Sequence, residues 1–200
     1  MRAAASMICL FGALLHLVLS DPLLDSIGFH YTSTEGRFYE RLHPGTFFIL
    51  LGLVALLWGR DDPIQEILDA CLEFPAYCFL LALYVMLFLY ITLRSGTQGM
   101  SFLVDTHMTA PICAIVLSHA PRAYCRAMLS LFLCLDAGNS EIGIAESIGR
   151  FRIFTFDPTW DVLHEDLFRA SALAGHPLNN AMLTSIAIFI AMGIRLISIR

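Results

Sequence analysis

The sequence contains no lysine. All twelve basic residues are arginines, and charged residues of both signs fill only 14% of its 200 positions. Net charge is −5, which excludes the broad basic surface that nucleic-acid binding needs. The six cysteines form no Cys-x-x-Cys pair, so neither a zinc ribbon nor a disulfide-stapled secreted module is indicated. The seven histidines supply no His-x-x-x-His or His-Glu-x-x-His pair, and no metal site follows from them. Glycine-rich phosphate loops and the Gly-x-Ser-x-Gly elbow are absent as well. ATP hydrolysis and serine-hydrolase chemistry therefore have no support, and no cofactor is expected. Fifteen phenylalanines and long apolar runs exclude a disordered chain.

What is abundant is apolar surface: 58% of residues are hydrophobic and the mean hydropathy is +0.72. A water-soluble globule of this size has no interior large enough for that content. The composition predicts an all-α, polytopic transmembrane helix bundle forming one integral membrane region over 1–200. A spanning helix takes ~20 mainly apolar residues to cross ~30 Å of hydrocarbon. By that rule spans are expected near 3–20, 44–59, 74–93, 101–120, 124–148 and 179–194, about six in all. The first could serve as a signal peptide cleaved after Ser20, but its apolar run exceeds a signal core and favours an uncleaved anchor. Five cysteines lie in or beside apolar runs as small fillers. Cys71 is expected in a short acidic loop.

Arginine does not orient the bundle. With six spans, each side of the membrane receives six arginines, so the positive-inside rule gives a tie. Parity says more. The connections 21–43, 94–105 and 149–178 emerge together, gathering Arg37, Arg41, His43, Arg94, Asp105, His107, Glu146, Arg150, Arg152, Arg169 and His176 on one side. The other side receives short connections with no comparable cluster. The 149–178 connection exceeds the ~12–15 residues of an ordinary loop, which marks it as functional.

Polar residues inside spans face a bundle interior or cavity rather than lipid. At 100° per residue, Asp136, Asn139, Ser140, Gly143, Glu146 and Ser147 fall within about 120° of one another, with Glu141 off the stripe. A helix lining a polar cavity is expected here; the competing reading ends the span at Asp136 and leaves the rest as exposed loop. His16 and His119 read as interfacial or interhelical hydrogen-bonders. His43-Pro44 reads as a helix start.

The sharpest local feature is the stretch Arg169–Ala181, which contains Gly175-His176-Pro177 followed by Asn179 and Asn180. Pro177 suits the first turn of the last helix, whose free N–H groups and positive dipole favour a phosphate. Arg169 could grip the same anion in bidentate fashion, and His176 could take a proton from an attacking hydroxyl. Plain helix punctuation, with Arg169 solvated and His176 a cap, accounts for the same residues equally well.

This stretch resembles the arginine-to-Gly-His-Pro-Asn signature of the O-antigen ligase and polymerase superfamily. The run Tyr39-Glu40-Arg41-Leu42-His43-Pro44-Gly45-Thr46 and the Asn139 to Glu146 spacing resemble its exopolysaccharide-biosynthesis (Vps-type) branch. Members of that family are longer and carry more spans, so the chain is expected to be an N-terminal fragment or truncated product. The resemblance implies a metal-independent membrane glycosyltransferase of the bacterial inner membrane, active on the periplasmic face. Its partners would be an undecaprenyl-diphosphate-linked glycan, an acceptor glycan or lipid, membrane lipids and other polysaccharide-assembly proteins. Under it, Arg169 is the diphosphate ligand and His176 the base or acceptor-orienting group. Arg150, Arg152 and Arg94 are further phosphate candidates. Glu146, Asp105 and Asn179 would help bind substrate, the two carboxylates by positioning sugar hydroxyls or holding arginines. Two alternatives stay open: a transporter or flippase for a lipid-linked or anionic substrate, and a non-catalytic subunit of exopolysaccharide assembly.

Overall fold

Among the described residues three helices begin at a proline, placed where its missing N–H is not needed. They are α3 (Pro44–Leu57), α4 (Pro63–Glu73) and α5 (Pro75–Ser95). The remaining helices are α1 (Arg2–Val18), α2 (Asp21–Ser26), α6 (Met100–Phe102), α7 (Thr109–Ser118) and α8 (Arg122–Gly149). A 3-10 turn covers Phe38–Arg41, and a π-helical stretch, Leu103–Met108, joins α6 to α7. The computed structural model describes residues 2–29, 37–58, 60–96, 100–151, 153, 172 and 181–188. Among these no residue is in a β-strand, and the fold is all-α as the composition predicts.

Among the described residues three segments are long and apolar enough to cross a membrane: Pro75–Arg94, Met100–Ser118 and Arg122–Gly149. They correspond to the expected spans 74–93, 101–120 and 124–148. The expected spans 3–20 and 44–59 appear as the shorter apolar helices α1 and α3, of 17 and 14 residues. At ~1.5 Å per residue these reach only about 25 and 21 Å. Of the expected span 179–194, residues 181–188 are described, and they are helical.

The acidic loop expected around Cys71 is instead helix α4. Asp62 caps it, its Oδ1 accepting from Ile64 N and Gln65 N at 3.0 Å each. Pro63 fixes the first turn. The charge density of the segment hid a helical period from the sequence reading.

The chain divides into two compact units, Met1–His16 with His30–Cys125, and Leu17–Phe29 with Arg126–Arg200. In the first, α1 and α3 pack antiparallel on small residues. Ala5, Cys9 and Gly12 face Gly52, Ile49 and Gly45, so that a Cβ at Gly12 would stand 2.5 Å from the Gly45 carbonyl oxygen. Such small-residue seams let helix backbones approach closely where lipid supplies no hydrophobic drive. α7 runs parallel to α3, and Ile112 and Val116 join Ala5, Cys9, Ile49 and Leu56 in the buried core. α5 lies on the outside with most of its large apolar residues exposed, among them Phe79, Met86 and Tyr90. A lipid-facing helix has that character.

The π-helical stretch has a local cause. Pro111 cannot donate to the carbonyl four residues back, and its ring crowds that carbonyl. One turn earlier the ladder widens: Thr109 N–H reaches Val104 O, five residues back. Asp105 sits inside this widened turn and is buried. π-bulges of this kind recur at functional sites.

α8, which belongs to the second unit from Arg126 onward, is one unbroken helix of 28 residues. The residues after Asp136 are therefore helix and not the exposed loop of the competing reading. Asn139, Gly143 and Glu146 are the buried residues of α8, while Glu141 is exposed. Of the stripe that the angular count picked out, these three are buried, Asp136 and Ser140 are half-buried, and Ser147 is exposed. Ser140 on this face meets Thr184 of the helical residues 181–188 at 3.4 Å.

Candidate functional site

The first unit buries a polar cluster at the end of α1 and the start of α3. His43 caps α3, its Nδ1 accepting from Gly45 N–H at 3.0 Å. Its own N–H donates to Asp105 Oδ2 at 2.9 Å, and the Thr46 hydroxyl donates to Asp105 Oδ1 at 2.5 Å. On the far side of Thr46, His16 Nε2 lies 3.0 Å from the same hydroxyl oxygen. The His16 and His43 rings stack with centroids 4.0 Å apart. Thr109 donates its hydroxyl to the Asp105 carbonyl oxygen.

Donor accounting fixes the direction of this chain. A carboxylate only accepts, so Thr46 spends its one proton on Asp105. His16 must then donate from Nε2. In neutral His43, Nδ1 is the acceptor and the ring proton lies on Nε2. The result is an imidazole–hydroxyl–carboxylate relay, His16 to Thr46 to Asp105, in which Thr46 is fully buried and Asp105 nearly so. Nearby, His107 stacks on Tyr84 of α5 with centroids 5.2 Å apart.

Asp105 was expected as a substrate-binding residue, His16 as an interfacial or interhelical hydrogen-bonder and His43 as a helix start; His16 does bond between α1 and α3 and His43 does start α3, while Thr46 was given no role. The signal for His43 and Thr46 was the His-Pro-Gly-Thr helix start. What the sequence could not show is that a carboxylate 59 residues beyond Thr46 returns to that helix start.

At the opposite end of this unit lies an ion cluster that the parity argument did not foresee. Glu66 Oε1 stands 3.0 Å from Arg2, 3.2 Å from Arg60 and 3.8 Å from His119. The expectation of short connections with no comparable cluster on that side is corrected by it.

The second unit carries its own buried carboxylate. Glu146 is fully buried; Oε1 accepts from Ile153 N–H and Oε2 from Ala172 N–H, both at 2.8 Å. The carboxylate thus holds two points of the 149–178 connection against the end of α8. The helix ends there in a Schellman-type turn, Phe151 N–H returning to Glu146 O at 3.3 Å across Arg150, whose φ is +54°. Ala172 also has a positive φ, +47°.

Of the other sequence candidates, Arg94 is exposed near the end of α5 and Arg150 is exposed just beyond α8. Arg152, Arg169, His176 and Asn179 lie outside the described residues. Among the described residues no group of three or more His, Cys, Asp or Glu side chains could hold a metal ion. The chain matches no family model, no curated protein and no solved structure.

Proposed function

We propose that the protein works at a bacterial inner membrane as a glycosyltransferase-like component of polysaccharide assembly, crossing the bilayer about six times. In this reading it acts on a glycan carried by undecaprenyl diphosphate, at the periplasmic face, and passes it to an acceptor hydroxyl on a glycan or lipid.

The observation that supports this most is the Glu146 clamp on Ala172. Ala172 follows Arg169 by three residues and precedes His176 by four, so the stretch that carries the resemblance is pinned at its middle to a buried carboxylate. A diphosphate leaving group develops negative charge, and a guanidinium fork holds two phosphate oxygens in one plane. Arg169 takes that role, with Arg150 and Arg152 as further phosphate contacts and Asn179 near the acceptor. His176 removes the proton of the attacking hydroxyl or orients it. Glu146 then positions the loop rather than a sugar, and Asp105 belongs to the separate relay.

The test is glycan assembly in a strain lacking its own polymer, comparing the wild type with Arg169→Ala and His176→Ala. Normal lengthening or ligation by both variants, at wild-type membrane levels, rejects the assignment.

A second reading, a transporter or flippase for a lipid-linked or anionic substrate, is favoured by the His16–Thr46–Asp105 relay. Buried ionisable residues in membrane helices mark ion and proton pathways. Substrate translocation into vesicles that is lost in Asp105→Asn but kept in His176→Ala would select it.

A further inference from the structure

We propose that α4 lies in the plane of the membrane interface, with Ile64, Ile67, Leu68, Cys71 and Leu72 sunk among the lipid chains.

The first ground is the helix itself. At 100° per residue these five residues fall within about 140° of one another, while Gln65, Glu66, Asp69, Ala70 and Glu73 occupy the opposite arc. Ala70 is buried and Glu66 is mostly covered, so that edge of the arc faces protein, while Gln65, Asp69 and Glu73 are exposed. Among the described residues little packs on the apolar arc: Ile64 is 71% and Leu72 is 81% exposed, Ile67 and Leu68 are about half exposed, and Cys71, half-buried, meets Cys78 of α5. A contiguous apolar stripe left open to water is costly and marks a surface that something covers.

The second ground says what covers it. α4 is bounded by two apolar helices: five residues separate it from α3, and Phe74 alone separates it from α5. Phe74, with φ −127° and ψ 58°, breaks the helix before Pro75, so α4 does not continue the span of α5. At its other end Glu66 is tied to Arg2 of α1, Arg60 and His119 at the end of α7. α4 therefore lies along the end of the first unit, at the level where apolar helices stop. Its open stripe continues the exposed apolar surface of α5.

Arg2 and Arg60 share one carboxylate oxygen of Glu66, which fixes the polar side of α4 against the ends of α1 and α3. Trp58, 72% exposed at the end of α3, is the residue type that settles at the membrane interface. Helices with one apolar and one charged face lie in the interface plane with the apolar face buried ~5–10 Å. The partner of this surface is the bilayer, and the proposal is independent of any glycan chemistry.

A nitroxide scan over positions 64–73 tests it, using the full chain in phosphatidylcholine vesicles with the other cysteines replaced by serine. Position 71 uses the native cysteine, which guards against misfolded variants. Oxygen concentrates in lipid and a nickel chelate in water. Oxygen accessibility is expected to peak at 64, 68 and 72, severalfold above 65, 69 and 73, with the nickel signal out of phase. If both reagents rise together at 64, 68 and 72, the stripe faces water and the proposal fails. If both are low there, protein covers the stripe, a second copy included, and the proposal fails equally.

Discussion

Thr46 and Asp105 meet through a 2.5 Å hydrogen bond between a fully buried hydroxyl and a carboxylate set in a widened helical turn. The carboxylate also caps α3 through His43 N–H. One side chain thus satisfies a helix terminus, a hydroxyl and, through that hydroxyl, a histidine on a third element. Buried polar networks of this sort are costly when incomplete and specifying when complete.

Removing either partner should therefore cost stability unequally. Thr46→Val is expected to lower unfolding free energy in detergent by ~1–3 kcal/mol, since it removes the acceptor of His16 Nε2–H and the hydroxyl that donates to Asp105 Oδ1. Asp105→Ala strands two donors, Thr46 O–H and His43 N–H, and should cost more than Thr46→Val. The double variant should cost less than the two losses added, because the shared bond is counted only once. Simple additivity in chemical or thermal unfolding would show that the pair does not interact.

Two glycines in helices should respond in opposite ways to alanine. At Gly12 a Cβ would stand 2.5 Å from the Gly45 carbonyl oxygen and 2.9 Å from Ile49 N, both fixed backbone atoms. Helices α1 and α3 would have to separate, and a loss of ~1–3 kcal/mol or more is expected. At Gly138, inside α8, a Cβ would meet nothing within 4 Å. Gly138→Ala should therefore gain ~0.5–1 kcal/mol from helix propensity alone. Comparing melting temperatures of the two variants in one detergent checks both signs at once.

Much of the helical frame was legible before any coordinates. Apolar runs predict α1, α3, α5, α7 and α8, because apolar length is what a membrane helix requires. The angular stripe on α8 was also readable, and Asn139, Gly143 and Glu146 are buried on it as the period predicts. α4 was missed although its signals were present: Asp62-Pro63 as cap and first turn, then apolar residues at 64, 67, 68, 71 and 72. Five acidic residues between 61 and 73 drew the reading toward a loop. The relay was not legible for a different reason. It depends on Asp105 returning to the start of α3, and on a register that places Gly12 against Gly45 and His16 beside Thr46. No local pattern encodes such a pairing. The same holds for Glu146, whose inward position was predictable but whose two backbone partners, 7 and 26 residues onward, were not.

The Glu146 clamp should be visible amide by amide. Glu146→Ala leaves Ile153 N–H and Ala172 N–H without their acceptor, each bond to a charged group being worth ~1.5–3 kcal/mol. Hydrogen exchange at those two amides should accelerate by roughly ten- to a hundredfold, while amides in the middle of α8 keep their protection. Glu146→Gln retains one acceptor oxygen and turns an amide donor toward the other N–H, so one of the two sites should accelerate more than the other. Uniform acceleration across α8 would point to loss of the helix rather than of the clamp.

Arg150 separates stability from function in a single substitution. Its φ of +54° is a conformation that a non-glycine side chain adopts at a cost of ~1–2 kcal/mol, at the position where helices usually place glycine. Arg150→Gly should raise stability by up to about 1 kcal/mol, read as a higher melting temperature, whereas Arg150→Ala keeps the strain and should gain nothing. If the guanidinium also contacts the diphosphate, both variants should lose glycan transfer to a similar degree, the stabilised one included. Transfer retained by Arg150→Gly together with the gain in stability would remove Arg150 from the substrate site and leave it only as the turn that carries the chain from α8 toward the clamped Ile153. Arg169→Ala measured alongside would then show whether the anion is held beyond that turn.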